Sequence, residues 1–408
     1  MKRIFLALAC ALSVTLCAYA QQTNLTHRYM KKILFTLLAL GTFTNLWASN
    51  SEINGWWVYA VTDNSVAITY KGGSPNAEKE YEGDLVIPEW LNDGTKTYTV
   101  VKIGDGAFWG CTGLTSLTIP STITSIGEYA FETCTTLKSV TIEGSGLVSM
   151  GKNAFSNCNE LTTLILPSSL ESIGDNAFAS CYELSSIVIP ASVTSIGKRA
   201  FMYCSALQSI NVYPNNPAYS SLSNVLFDKD QTTLLCYPAS KTGTTYTVPA
   251  TVREIGYYAF ESAKKLKTIN LSDSLTLISE GAFYNCSSLT KITIPATVDT
   301  IGDRAFSSCK GFTSITCKAV VPPVCNENKG CFDDVDKSIP VYVPAESVVL
   351  YKGAAAWHEF TNIQAIPNTE GIDQQQCTPD QGTKHIENGV LYIERNGRTF
   401  TIQGQEIN

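Results

Sequence analysis

Apolar residues recur along this chain at fixed offsets around a repeated Ala-Phe dipeptide, whose rings are Phe108, Phe131, Phe155, Phe178, Phe201, Phe260, Phe283 and Phe306. The spacing is 23 residues, with one interval of 24 and one of 59. An apolar residue stands five before each Phe, as in Ile103, Ile126 and Met150. Others stand six and nine after it, as in Leu114 and Leu117 or Leu184 and Ile187. Self-similarity at so strict a period predicts a stack of like units rather than a packing of unlike ones.

Each unit reads as two short elements. Leu114 to Pro120 alternates with period two and stops at a Pro that cannot donate to a ladder, which predicts a short strand. Ile126 to Cys134 follows the pattern Ile-Gly-x-x-Ala-Phe-x-x-Cys, the spacing of a short helical turn entered through Gly, with Ala130 and Phe131 inward. A single unit buries too few side chains to offset the entropy of ordering its 23 residues, so each rung must cover the next. The predicted fold is a repeat solenoid: a parallel β ladder with short helical turns around a single continuous core, with the eight Phe residues as its structural spine.

The 59-residue interval is one period plus 36 further residues. Within it, Val225 to Phe227 and Leu234 to Pro238 read as a hairpin, an insertion at about 213–245 that leaves the solenoid and returns to phase at Tyr246 to Pro249. Residues 49–99 form an N-terminal cap and residues 100–366 carry the repeats, closed by Val341 to Pro344 and Trp357 to Ile366. The polar, Gln-rich stretch 367–387 is a linker. Residues 388–408 hold a hairpin around Asn396-Gly397, a separate small module.

The chain begins with two signal-like segments in series. Residues 1–29 open with Met1-Lys2-Arg3 and an apolar run to Ala18, while residues 30–48 open with Met30-Lys31-Lys32 and end at Leu46-Trp47-Ala48. Neither reaches the ~20 apolar residues of a membrane span, so export without a transmembrane segment is expected, with initiation at Met30 the simpler reading. Removal of the five Lys and Arg before Ser49 leaves 24 basic against 36 acidic residues, a charge of −12. A chain this acidic, with no basic run, lacks the phosphate-neutralising charge nucleic acid requires.

Candidate chemistry is sparse. With three His in the whole chain, a His-based metal centre has little raw material, and no cofactor is expected. No Gly-x-Ser-x-Gly elbow occurs, His358 stands away from any nucleophile, Asp333-Asp334 reads as a solvated turn, and Gly104 to Gly110 lacks the Lys of a phosphate loop. An enzyme is therefore not expected. Seven Cys (Cys111, Cys134, Cys158, Cys181, Cys204, Cys286 and Cys309) stand three after the Phe, where Ala263 substitutes for one more, so they read as small buried hydrophobes. Cys317, Cys325 and Cys331 lie outside that ladder and leave room for one disulfide.

The unit resembles that of the BspA-like bacterial leucine-rich repeats over about Val100 to Ile366, including the insertion with Tyr219 and Tyr237-Pro238. Local departures are Ser279 for the repeat Gly, Ala263 for the Cys, and one extra residue between Glu143 and Leu147. The resemblance implies an exported protein of the bacterial cell surface, of a type that includes adhesins for host matrix proteins or other bacteria. The final hairpin is similar to C-terminal sorting segments of exported proteins.

Strand positions eight and ten after each Phe point away from the core. They include Thr118, Ser139, Thr141, Thr163, Ser186, Thr268, Asn270, Lys291 and Thr293, which together predict one continuous hydroxyl-rich face, about 40 Å long for nine rungs at ~4.8 Å. No aromatic residue interrupts it, which favours a protein partner over a sugar. The leading expectation is a monomeric surface adhesin binding extracellular or bacterial surface proteins. The alternatives are glycan capture through aromatics elsewhere, among them Trp56, Trp57, Tyr237 and Trp357, and a structural spacer without a ligand.

Overall fold

A computed structural model describes residues 51–70, 81–325 and 330–367, and the backbone of four strands between 383 and 407. Both signal-like segments and most of the Gln-rich stretch lie outside the described residues. The repeats wind into a solenoid in which every turn contributes one strand to each of two parallel ladders. Two-residue strands such as Ser125–Ile126, Ser149–Met150, Ser172–Ile173 and Ser195–Ile196 form the inner edge of each rung, in register. The Leu-x-x-Leu segments form the second ladder, for example Ser139–Ile142 beside Gly113–Ile119. The Pro that ends this strand then begins a turn: the carbonyls of Pro120, Pro167 and Pro295 accept the N–H three residues on.

The segment around the Phe is not helical. It is a run of linked turns in which N–H groups alternate between a local acceptor and the next rung. Thus Phe131 N–H donates to Ala154 O (2.8 Å), whereas Cys134 N–H returns to Phe131 O (3.2 Å). Sustaining that alternation requires a left-handed residue two before and two after each Phe. Gly106 and Gly110 fill these places in the first rung, but Tyr129 and Thr133, and later Arg199 and Tyr203, fill them with φ of 57–63°. The expectation of a helical turn fails because inter-rung hydrogen bonding overrides the local i→i+4 alternative.

The repeat Gly, four before the Phe, serves close approach. A Cβ on Gly174 would fall 2.4 Å from Gly151 C, and one on Gly197 would fall 2.3 Å from Asp175 N. Ser279, the exception, is accommodated with its hydroxyl donating to Glu254 Oε1 at 2.7 Å. The extra residue before Leu147 is absorbed by Gly144 (φ 61°) and by Gly146, which lies against Ser121 O.

Phe108, Phe131, Phe155, Phe178 and Phe201 stack with centroids 5.0–6.0 Å apart and nearly parallel rings. A second stack runs Tyr237, Phe260, Phe283, Phe306 and Phe332. Its two end members escape the Ala-Phe pattern, being preceded by Cys236 and Cys331. The expected single core is accordingly two apolar clusters that meet at one strand, Val225–Asp228: Leu226 belongs to the first, Val225 and Phe227 to the second. Trp56 and Tyr81 close the first stack at Phe108, while Trp357 and Phe360 close the second at Phe332.

The insertion has three strands rather than two. Tyr219–Leu222, Val225–Asp228 and Thr233–Cys236 form an antiparallel meander, and the last then pairs in parallel with Glu254–Ile255 as an ordinary rung would. Residues from Ala365 onward form a second unit. It holds an antiparallel sheet of Thr383–Glu387, Val390–Arg395, Arg398–Thr401 and Glu406–Ile407, whose first strand falls in the stretch the sequence reads as linker.

Candidate binding surface

The outward residues of the long-strand ladder stand in register: Ser116 beside Ser139, Thr118 beside Thr141, Ser139 beside Thr163, Thr247 beside Asn270, and Thr268 beside Lys291. Ser139, Thr141, Thr163, Ser186, Thr268, Asn270, Lys291 and Thr293 are exposed, and Thr118 is half-buried. The face is not continuous, however. Ile210 N–H donates to Asn224 O and Val212 N–H to Ser221 Oγ, both at 3.0 Å, so the insertion covers strand Ser209–Val212 where the next rung would pair. The ladder resumes only at Thr245–Thr247. Thr118, Ser139, Thr141 and Thr163 thus stand on one run of paired strands, Ser186 follows on a strand tied to that run by the Ser185 N–H donating to Thr162 O at 3.3 Å, and Thr268, Asn270, Lys291 and Thr293 stand on another run.

Hydroxyl groups on the rungs differ in what they bond, and on the outward ladder itself Ser116 donates to Asp84 Oδ1 at 2.6 Å and Thr247 accepts from Asn270 at 3.1 Å. Those immediately before the ladder strands staple the rungs together: Thr162 Oγ1 donates to Lys138 O (3.2 Å) and Thr313 Oγ1 to Thr290 O (3.1 Å). Two after the Pro do likewise, Ser169 to Leu147 O and Ser192 to Leu170 O, each at 2.6 Å, whereas Thr122 at the same place after Pro120 has its hydroxyl buried without a partner among the described residues. In contrast, the hydroxyls of Ser139, Thr141, Thr163, Ser186, Thr268 and Thr293 have no partner among the described residues. Two apolar side chains share their face, Ile165 at 85% and Val188 at 45% exposure. Period-two alternation places both outward, but their residue type alone reads as core.

The aromatics expected to hold a glycan do not form a surface. Tyr237 and Trp357 are buried, Tyr237 as a member of the ring stack and Trp357 with its Nε1 donating to Pro323 O. Trp56 lies half-buried against Tyr81. Trp90 is the well-exposed Trp among the described residues, at 61%.

The cysteine ladder has a single repeated geometry. Cys134, Cys158, Cys181 and Cys204 each point Sγ at the Phe carbonyl of the preceding rung, at 3.1–3.3 Å, and Cys286 and Cys309 do so at 3.0 Å. Burial pushes the Cys181 thiol up to about 12. Cys317, Cys325 and Cys331 are buried and are not joined in a disulfide; Cys331 Sγ lies 3.5 Å from Ile301 O, and Tyr351 donates its hydroxyl to Cys317 Sγ at 3.1 Å. Among the described residues no group of three or more His, Cys, Asp or Glu is placed to hold a metal, and no helix is long and apolar enough to cross a membrane. His358 faces Ala354 O at 3.2 Å, and Asp334 accepts the Ser308 hydroxyl at 2.9 Å.

No curated protein matches this chain. Among solved structures, a leucine-rich repeat protein from Eubacterium ventriosum is similar at 24% identity, over 77% of this chain and 83% of that one, with a TM-score of 0.58. The pneumococcal vaccine antigen PcpA is similar at 22% identity, over 79% of this chain and all of that one, with a TM-score of 0.54. A leucine rich cell surface protein from Faecalibacterium prausnitzii shares 24% identity over 82% of this chain and 98% of that one, with a TM-score of 0.50. These likenesses concern the fold. The BspA type leucine rich repeat region itself matches residues 99–232 and 236–347, in six copies. Strict rung spacing, the stacked rings and this match over more than half its length make the chain a member of the BspA-type leucine-rich repeat family.

Proposed function

We propose that this protein is exported to the bacterial surface and acts there as an adhesin, binding extracellular or bacterial surface proteins through the outward ladder N-terminal to the insertion. The observation that carries the reading is the contrast in what the rung hydroxyls bond. Hydroxyls that stabilise the solenoid are bonded rung to rung, whereas Ser139, Thr141, Thr163 and Ser186 are exposed with their donors and acceptors unspent. Beside them, Ile165 and Val188 add apolar area to a nearly uncharged strip, the composition of a protein-binding patch rather than of a charged, solvating one. Membership of a family of surface leucine-rich repeat proteins supports the same reading, which assigns the chain a binding scaffold and no catalysis. Burial of Tyr237 and Trp357 leaves the glycan alternative with the half-buried Trp56 and Trp57 of the four aromatics named for it.

The test is binding of purified residues 49–408 to an array of matrix proteins, bacterial surface proteins and glycans. Saturable protein binding that T141K and S186K abolish, and T268K leaves intact, is the expected result. Glycan binding insensitive to these substitutions, or silence across the array, would overturn it.

A further inference from the structure

The rung of Phe201 ends the first stack in an incomplete state. In the rung before it, three N–H groups donate forward: Asn176 to Lys198 O (3.0 Å), Phe178 to Ala200 O (2.9 Å) and Ser180 to Met202 O (2.8 Å). One rung later, only Tyr203 N–H is satisfied, and by a side chain, Glu261 Oε2 at 3.0 Å. The N–H groups of Arg199 and Phe201 meet no acceptor among the described residues. Phe201 is 6% exposed, and leaving a buried N–H unpaired costs about 1–3 kcal/mol.

The ring stack is interrupted at the same place. Phe178 lies 5.8 Å from Phe201, and Tyr237 lies 4.9 Å from Phe260, but Phe201 and Tyr237 make no ring contact with each other. A cavity of about 150 Å³ is lined by both rings together with Leu207, Leu226 and Leu235, and also by Arg199, Glu254 and Glu261. Apolar voids of ~150 Å³ take up a benzene ring. The lining continues to the surface through Lys198, which lies over the exposed Tyr257 ring at 4.2 Å.

We propose that this cavity is a docking site for an aromatic residue of a peptide. Its Phe or Tyr ring enters between Phe201 and Tyr237, and the carbonyl of the residue preceding it accepts the Phe201 N–H. The repeat itself defines this occupant. At each ordinary rung the next ring arrives one residue after the carbonyl that accepts the Phe N–H, as Phe201 follows Ala200, and the insertion has displaced both parts at once. A purely apolar ligand would fill the void and leave the donor unpaired. A polar ligand without a ring would pair the donor and leave the void empty. The site is distinct from the outward ladder, so its failure and that of the adhesin reading are separate results.

The probe is N-acetyl-L-phenylalanine N-methylamide, whose acetyl carbonyl stands where the preceding residue's would. It is titrated into the full mature chain and followed by the Phe201 amide resonance and its hydrogen exchange. Saturable binding is expected, with the Phe201 amide shifted and its exchange slowed. The alanine analogue should not saturate, and toluene should bind at least fivefold more weakly. Ala239→Phe, which places a ring on the cavity wall, should weaken the probe tenfold or more. Absence of saturable binding to the wild type, equal affinity for toluene, or an unmoved Phe201 amide would each overturn the proposal, whether or not the Ala239 variant folds.

Discussion

The Glu261 carboxylate accepts the backbone N–H of Tyr203 at 3.0 Å, across 58 residues of sequence. It takes the place that the Met202 carbonyl takes for Ser180 one rung earlier, so a side chain from the second half of the solenoid caps the first. The neighbouring Ser262 hydroxyl is its other partner.

That cap carries a pH dependence. Burial holds the Glu261 carboxyl above its ordinary 4.5, against the opposing hydrogen bonds from Ser262 and Tyr203. Because the folded-state pKa is the higher one, the folded protein binds more protons between the two values. The group's contribution is full below pH 4.5 and is lost as pH rises through the folded pKa. Glu261→Gln keeps an acceptor for Tyr203 but cannot ionise. The expected outcome is that the unfolding free energy of E261Q minus that of wild type grows with pH above 4.5, measured by urea unfolding. A difference independent of pH would refute it.

Charged side chains also bridge the insertion. Arg199 Nη2 lies 2.5 Å from Glu280 Oε1, and the guanidinium lies 4.4 Å from the Tyr258 ring centroid. Both charged side chains are 34% exposed, so solvent screens the pair. Arg199→Ala should cost about 1 kcal/mol, of which only part disappears in high salt because the contact with the ring persists. Equal stability of variant and wild type at low salt would contradict this.

Close approach of the rungs makes two glycines unequal. Gly174→Ala places a Cβ 2.4 Å from backbone of the preceding rung and should destabilise by about 1–3 kcal/mol. Gly353, at the end of the helix Val348–Gly353, has open space where a Cβ would stand and should accept Ala without loss. Denaturant midpoints of the two variants decide the matter.

Thiol reactivity reports on rung opening. Cys158, Cys181 and Cys286 are buried, donate to carbonyls and have thiols pushed well above the ordinary range by desolvation. A thiolate reagent at pH 8 should therefore leave them unmodified in the native protein and label them rapidly in urea. Rapid native labelling at Cys181, read by mass spectrometry, would show that the ladder opens locally.

The 23-residue period is enough to define the rung: the inward Phe recurs from Phe108 through Phe306, the Gly of close approach and the buried thiol recur with it apart from Ser279 and Ala263, and a Pro ends the strand in half of the rungs. They are legible because each rung contacts chiefly its neighbours, so within each stack the same side chain meets like surroundings from rung to rung. What the pattern could not reveal is whatever happens once. The turn residues Tyr129 and Thr133 are left-handed because of hydrogen bonds to another rung, which local propensity does not encode. Tyr237 and Phe332 join the ring stacks without the Ala-Phe signature, and Trp357 is core although its sequence context allows a surface. The division of the outward ladder, the capping of Tyr203 by Glu261 and the cavity beside Phe201 arise where the insertion brings together residues 58 and 81 positions apart. Nearest-neighbour repetition is written in the sequence, whereas the fit of a single long-range junction depends on which backbone groups remain unpaired after both halves have formed, and that only the tertiary structure decides.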